Sequence, residues 1–226
     1  KPHPHRRAIV DNIWEYRDQG YISLGLPGNP ITLDEDFADE QGIRDEYGNL
    51  GVDETFVSRS IRNDIFSVGN LDIWNRSLLC LVTETEFRNP CPDNFFTSEK
   101  TFKPIVMQQP FVLVSCAGSL EYMRSYGFKT FSPYIDETYD TLEDNDARTE
   151  AVVKQLALYC NLSNNEKTDV MRAVEPIVLH NFHHFYGEFR HIITKELLTN
   201  IKTLFEEIGY NDSHINYNDI YHVLTH

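Results

Sequence analysis

Apolar residues at positions 9, 10, 13, 14 and 16 fall on one stripe of a helix, and the following Tyr-Ile-Ser-Leu-Gly at 21–25 reads as a short buried strand ahead of a Gly/Pro turn at 25–30. Residues 31–55 are acidic, carry no steady periodicity and read as a surface loop or insertion. The run SLLCLVTETEF at 77–87 predicts a strand that stops where Pro90, Cys91 and Pro92 force a loop. Thr97 or Ser98 then caps a helix over 99–109, followed by a strand at 111–115, a CAGS turn, a helix at 119–126 and a brief strand, KTFS, at 129–132. Beyond Tyr134 the β signal fades, and 136–162 and 165–208 read as helix.

Strands alternating with helices of this length build a parallel sheet covered on both faces. The expected fold class is α/β: a Rossmann-like nucleotide-sugar-binding domain over 1–134, interrupted by the acidic insertion at 31–55, and a helical extension over 135–226. A chain of 226 residues with 41% apolar content is long enough for such a core. Lys and Arg number 20 against 35 Asp and Glu, a formal charge of −15, so a nucleic-acid partner is not expected. Any anion must instead be held by a few local donors.

The four cysteines, Cys80, Cys91, Cys116 and Cys160, lack metal-ligand spacing and read as reduced thiols, with Cys91 exposed in its Pro-flanked loop. No stretch approaches the roughly 18 apolar residues of a membrane span, and the first residues show no signal-peptide pattern. A cytoplasmic location, of a cell or of a virus-infected host, is expected. Sequons at Asn75, Asn161 and Asn211 are too short to overturn that reading. The chain opens at Lys1 without Met, so an upstream segment is expected.

The chemistry concentrates at Ser98-Glu99-Lys100. In open parallel sheets, ligands lie beyond the carboxyl ends of the strands, where helix N-termini point outward. Lys100 can meet phosphate oxygens, and Glu99 can accept the paired hydroxyls of a ribose. Glu99 in a first helical turn is equally what the helix dipole favours, whereas Lys100 opposes that dipole and calls for an anion.

The stretch LLCLVTETEF…NFFTSEKTFKPIVMQQPFVLVS, over roughly 77–125, resembles the donor-binding half of the α-1,3-fucosyltransferase family. That family shows a strand ending in Phe-Glu-Asn, a loop, Tyr-x-Thr-Glu-Lys, a helix, and a strand reached through Val-Pro-Val. Here Glu84 and Thr85 fall on the Glu-Asn pair, Phe96 on the tyrosine, Ser98 on the threonine, Glu99 and Lys100 on Glu-Lys, and Gln109-Pro110-Phe111 on the turn into the next strand. Thr85 and Phe96 remove an amide and a phenol from the implied pocket. A weaker echo in HRRAIVDNIWEYRDQGYISLG carries over a phosphate-contacting arginine, Arg6 or Arg7. The chain is also similar to uncharacterised glycosyltransferase-like proteins of viral and bacterial genomes.

The resemblance implies the C-terminal half of a two-Rossmann (GT-B) glycosyltransferase. Its donor would be a GDP- or UDP-linked sugar, its acceptor a glycan or other hydroxyl compound, and it would need neither metal nor other cofactor. Glu84 and Thr85 would border the sugar, Glu99 would hold the ribose, and Lys100 with an arginine would neutralise the leaving diphosphate. The acceptor and the catalytic base would belong to a preceding domain, so no base is assigned. The competing expectation is a non-catalytic module of a larger assembly, such as a virion component, that kept the fold.

Elsewhere, HNFHHFYGEFRH sets His180, His183, His184 and His191 at spacings that allow either a metal site or, given the interleaved aromatics, a packed helix. Glu137 opens an acidic helix entry that reads equally as a cap or as a ligand contact. Arg59 and Arg62 either pair with the acidic loop or face phosphate. No GxSxG, HExxH or GxxxxGK[ST] occurs, so serine-hydrolase, zinc-protease and P-loop readings lack their parts.

Overall fold

The computed structural model describes residues 3–22, 71–88, 97–132 and 134–225. In chain order its elements are α1 (Pro4–Ile13) running into a 3₁₀ turn (Trp14–Gln19), α2 (Leu71–Arg76), β1 (Cys80–Thr83), α3 (Glu99–Val106), β2 (Phe111–Val114), α4 (Ser119–Ser125) and a 3₁₀ turn (Glu137–Thr141). There follow α5 (Asn145–Cys160), α6 (Asn164–His184), a π turn (Phe185–Phe189), α7 (Arg190–Glu207) and α8 (Tyr217–Thr225).

The strands pair in parallel, Cys80 opposite Phe111 through Thr83 opposite Val114, and α3 makes the crossover between them. All of β2 is buried, as its unbroken apolar run requires of a strand covered on both faces. The described chain is thus mostly helical around a two-stranded parallel sheet, and among the described residues a full Rossmann sheet is not seen.

The strand expected at 129–132 does not form. Lys129 gives its N–H to Asn181 Oδ1 and its carbonyl accepts from Asn181 Nδ2, both at 2.8 Å. The N–H groups of Phe131 and Ser132 both go to Glu137 Oε1. With these backbone groups satisfied by side chains, the segment has less to offer a neighbouring strand. The strand expected over 77–87 contracts to Cys80–Thr83, and Tyr21 and Ile22 are not in a strand. The rest of the 21–25 segment, the 31–55 insertion, Arg59, Arg62 and Cys91 lie outside the described residues.

Helix starts follow local chemistry. Asp144 caps α5 by accepting from the Ala147 N–H, and Ser163 with Glu166 forms a capping box at α6. One apolar core joins the parts: Val82, Val112 and Val114 of the sheet, Ile9 of α1, Ile105 of α3, Val152 of α5, and Val174 and Val178 of α6 belong to it. Helices α5 and α6 are therefore packed on the sheet unit.

A buried guanidinium ties the carboxyl ends of both strands. Arg148, 1% exposed on α5, donates to the carbonyls of Ser115, Leu142 and Phe87 and to Asn145 Oδ1, and lies 4.4 Å from the centre of the Phe87 ring. Ser115 follows β2 and Phe87 follows β1 by a few residues, so one side chain fixes where both chain segments leave the sheet. Cys116, next to Ser115, is disulfide-bonded, which corrects its reading as a reduced thiol; Cys80 and Cys160 are free. No described helix is long and apolar enough to cross a membrane.

Replacing Arg148 with Met keeps much of the volume but strips donors from buried carbonyls, at a cost of roughly 3 kcal/mol. Urea unfolding should show a clearly lowered midpoint for Arg148→Met, and an unchanged midpoint would contradict this role.

Candidate functional site

The chain leaves β1 at Glu84, which is 1% exposed. A buried carboxylate is tolerated only if donors surround it. They come from the start of α3: the Ser98 N–H at 2.9 Å and Thr101 Oγ1 at 2.6 Å reach Oε1, and Ser98 Oγ at 2.6 Å reaches Oε2. Glu84 thereby pins the first turn of α3 over the end of β1. Ser98, held this way, is also the N-cap, its Oγ accepting from the Lys100 N–H at 3.3 Å and from Lys100 Nζ at 3.1 Å.

Lys100 Nζ also donates to Glu99 Oε1 at 2.8 Å, in a pair whose side chains are 37% and 28% exposed respectively. Burial works against ionisation of Glu99, but the Lys100 hydrogen bond and the charges of Lys100 and Lys103 outweigh it and hold the carboxyl below its ordinary value. The pair is a solvent-facing ion pair anchored through Ser98 to the buried carboxylate of Glu84.

Of the two arginines in question, Arg6 reaches this end of the sheet and Arg7 does not. Arg6 Nη2 donates to the Thr83 carbonyl at 3.1 Å. Its burial lowers the guanidinium pKa, and the charges of Glu84 and Glu99 oppose that shift. Arg7 instead shares its Nε–H between the two carboxylate oxygens of Asp11, one turn along α1, at 2.8 and 2.9 Å in an exposed contact.

Thr85 lines a cavity of about 400 Å³ with His5, Phe87, Arg88, Asn145 and Asp146. Phe96 lies outside the described residues. The structure thus brings together Arg6, Glu84, Ser98, Glu99 and Lys100. Both Glu84 oxygens are engaged by α3, so its part in the site is to position that helix.

Sequence reasoning passed over His5. Its ring stacks on Phe87 at 4.8 Å, and its Nε2 meets the Glu84 carbonyl at 2.9 Å. Burial, only partly offset by that bond and reinforced by the charges of Arg6, His3 and Arg148, lowers its pKa from 6.5 to about 4. The alternation His-Pro-His before the two arginines was the available signal.

The histidine-rich segment is structural in its contacts. His184 Nε2 meets the Tyr126 carbonyl at 2.7 Å, His180 Nε2 the Gly127 carbonyl at 3.0 Å, and His191 Nδ1 the Tyr221 hydroxyl at 3.0 Å. Among the described residues no group of three or more His, Cys, Asp or Glu is placed to hold a metal ion. Glu137 is spent on the Thr130 hydroxyl, the Phe131 and Ser132 N–H groups, and Arg124.

Chemically, the cluster offers two cations of different kinds. Arg6 is a partly buried planar fork, and Lys100 is a part-exposed ammonium held by Ser98 and a carboxylate. The Lys100 N–H is already committed to Ser98 Oγ, so an incoming anion would be met by side chains more than by helix amides. Comparison with protein-family models, curated proteins and solved structures finds no match.

The low pKa of His5 fixes a pH response. Between about 4 and 6.5 the unfolded chain protonates this imidazole while the folded chain does not, so its contribution to stability is complete above about 6.5 and is lost as pH falls toward 4. The melting temperature of His5→Gln should therefore fall less than that of wild type between about pH 7 and pH 4.5. Parallel curves for the two proteins would contradict it.

Proposed function

We propose that the chain binds a nucleoside diphosphate sugar at the start of α3 and serves as the donor-binding part of a glycosyltransferase that passes the sugar to a hydroxyl acceptor. The observation that supports this best is the meeting of Arg6, Glu99 and Lys100 at the carboxyl end of a β1–α3–β2 crossover, in a chain whose formal charge is −15. Glu84 and Glu99 balance these two cations, so a diphosphate would be received by taking the place of Glu99 at Lys100, beside Arg6.

In this reading Lys100 exchanges Glu99 for diphosphate oxygens. Half-exposed ion pairs contribute about 0–1 kcal/mol, so the exchange costs little, and it frees Glu99 to accept ribose hydroxyls. Arg6 holds the second phosphate from its place above β1. As the bond from the sugar to the diphosphate breaks, negative charge grows on the leaving group, and the two fixed cations stabilise it. The acceptor and the base that deprotonates it would come from outside this cluster.

A second reading has its own observation: Lys100 Nζ is already satisfied by Glu99 and Ser98, as in a purely structural cap. A module that kept the fold without the chemistry, within a larger assembly, would look the same. Calorimetric titration with GDP and UDP separates the two. The transferase reading expects binding by wild type and a loss of about tenfold or more in Lys100→Ala, equivalent to about 1.4 kcal/mol. Absence of binding by wild type at millimolar nucleotide supports the structural module and ends the transferase proposal.

A further inference from the structure

Beside the α3 cluster lies a cavity of about 310 Å³, lined by Thr97, Phe102, Tyr122, Met123, Tyr126, Phe128, Phe189 and Ile193. Its walls are mostly rings. Phe189 sits 5.4 Å from Phe102, 4.9 Å from Phe128 and 5.9 Å from Tyr126, and Tyr122 stands edge-on to Tyr126 at 5.0 Å. At Tyr126 the lining becomes polar: the Tyr126 hydroxyl donates to Glu196 Oε2 at 2.9 Å and is met by the Tyr122 hydroxyl at 3.3 Å.

Two unusual backbone features hold this cavity in shape. Phe189 comes from the π turn that interrupts the helix between α6 and α7, a device often found at functional sites. The loop carrying Tyr126 and Phe128 passes through Gly127 at φ 93°, where an added Cβ would lie 2.8 Å from the His184 ring. The same loop is fixed by the stacked His180 and His184 rings, which bond the Gly127 and Tyr126 carbonyls. The histidine-rich segment therefore maintains an aromatic wall.

We infer that this cavity receives the nucleobase of the nucleotide whose phosphates meet Arg6 and Lys100, an assignment that rests on the donor-binding reading above. Position supports it: Thr97 immediately precedes the cap residue Ser98, and Phe102 lies on the first turn of α3, one turn from Glu99. Size supports it too. A cavity of about 310 Å³ is at the small end of ligand sites, which span roughly 300–1,000 Å³, so it suits a single planar ring system better than a whole sugar nucleotide. The lining chemistry suits a base, with five aromatic side chains around the cavity and the Tyr122 and Tyr126 hydroxyls as its polar edge.

The test is calorimetric titration of the full chain with GDP, guanosine and inorganic pyrophosphate, using wild type, Phe189→Leu and the half-buried variant Tyr122→Ala. Stacking on an aromatic side chain is typically worth about 5- to 150-fold in affinity. Wild type should bind GDP more tightly than pyrophosphate, and at least one variant should lower the ratio of GDP to pyrophosphate affinity by about fivefold or more. A ratio unchanged in both variants, or GDP bound no more tightly than pyrophosphate, overturns the base assignment and leaves the phosphate site standing. Guanosine binding that weakens in the variants without any pyrophosphate binding keeps the pocket and removes the donor-site reading. Binding of none of the three probes removes both.

Discussion

The structure turns on the carboxylate of Glu84, buried where β1 ends. Left alone, such a charge would be expelled or neutralised; here donors from Ser98 and Thr101 saturate it. Because those donors belong to the cap and first turn of α3, satisfying Glu84 also dictates where α3 begins relative to the sheet. Glu99 and Lys100 are then carried to the carboxyl end of the crossover, beside Arg6 on the Thr83 carbonyl. A defined geometry of charge arises in this way from one buried acid and its partners, while the Glu99–Lys100 pair remains part-exposed.

Other elements serve the same end of the molecule. Arg148 ties the segments leaving both strands, and the stacking of His5 on Phe87 packs the start of α1 against them. At the start of α3, the π turn and the His180–His184 pair hold a ring-lined cavity against Phe102. The late helices thus supply both core, through Val152, Val174 and Val178, and one wall of the region proposed to receive a nucleotide.

What could be read from the sequence was what depends on neighbours in the chain. The cap at Thr97 or Ser98 and the apolar run Phe111–Val114 each carry their cause within a few residues. What could not be read depends on distant partners. The segment 129–132 has a strand-like composition, but Asn181 and Glu137 claim its backbone. Adjacent arginines gave no basis for choosing between Arg6 and Arg7 until α1 was seen to turn one toward β1 and the other toward Asp11. Glu84 was legible as a site residue but not as the anchor of α3, because its partners lie 14 and 17 residues away. His180 and His184 read as metal ligands or packing, and their carbonyl partners, more than 50 residues distant, explain them.

Lys100 and Arg6 are proposed to receive a diphosphate together. A crystal structure of the chain grown with a nucleoside diphosphate addresses it most directly. Phosphate oxygens should lie within about 3 Å of Lys100 Nζ and the Arg6 guanidinium, with Glu99 released toward the ribose. A nucleotide bound elsewhere, with Lys100 still paired to Glu99 and Ser98, would contradict it.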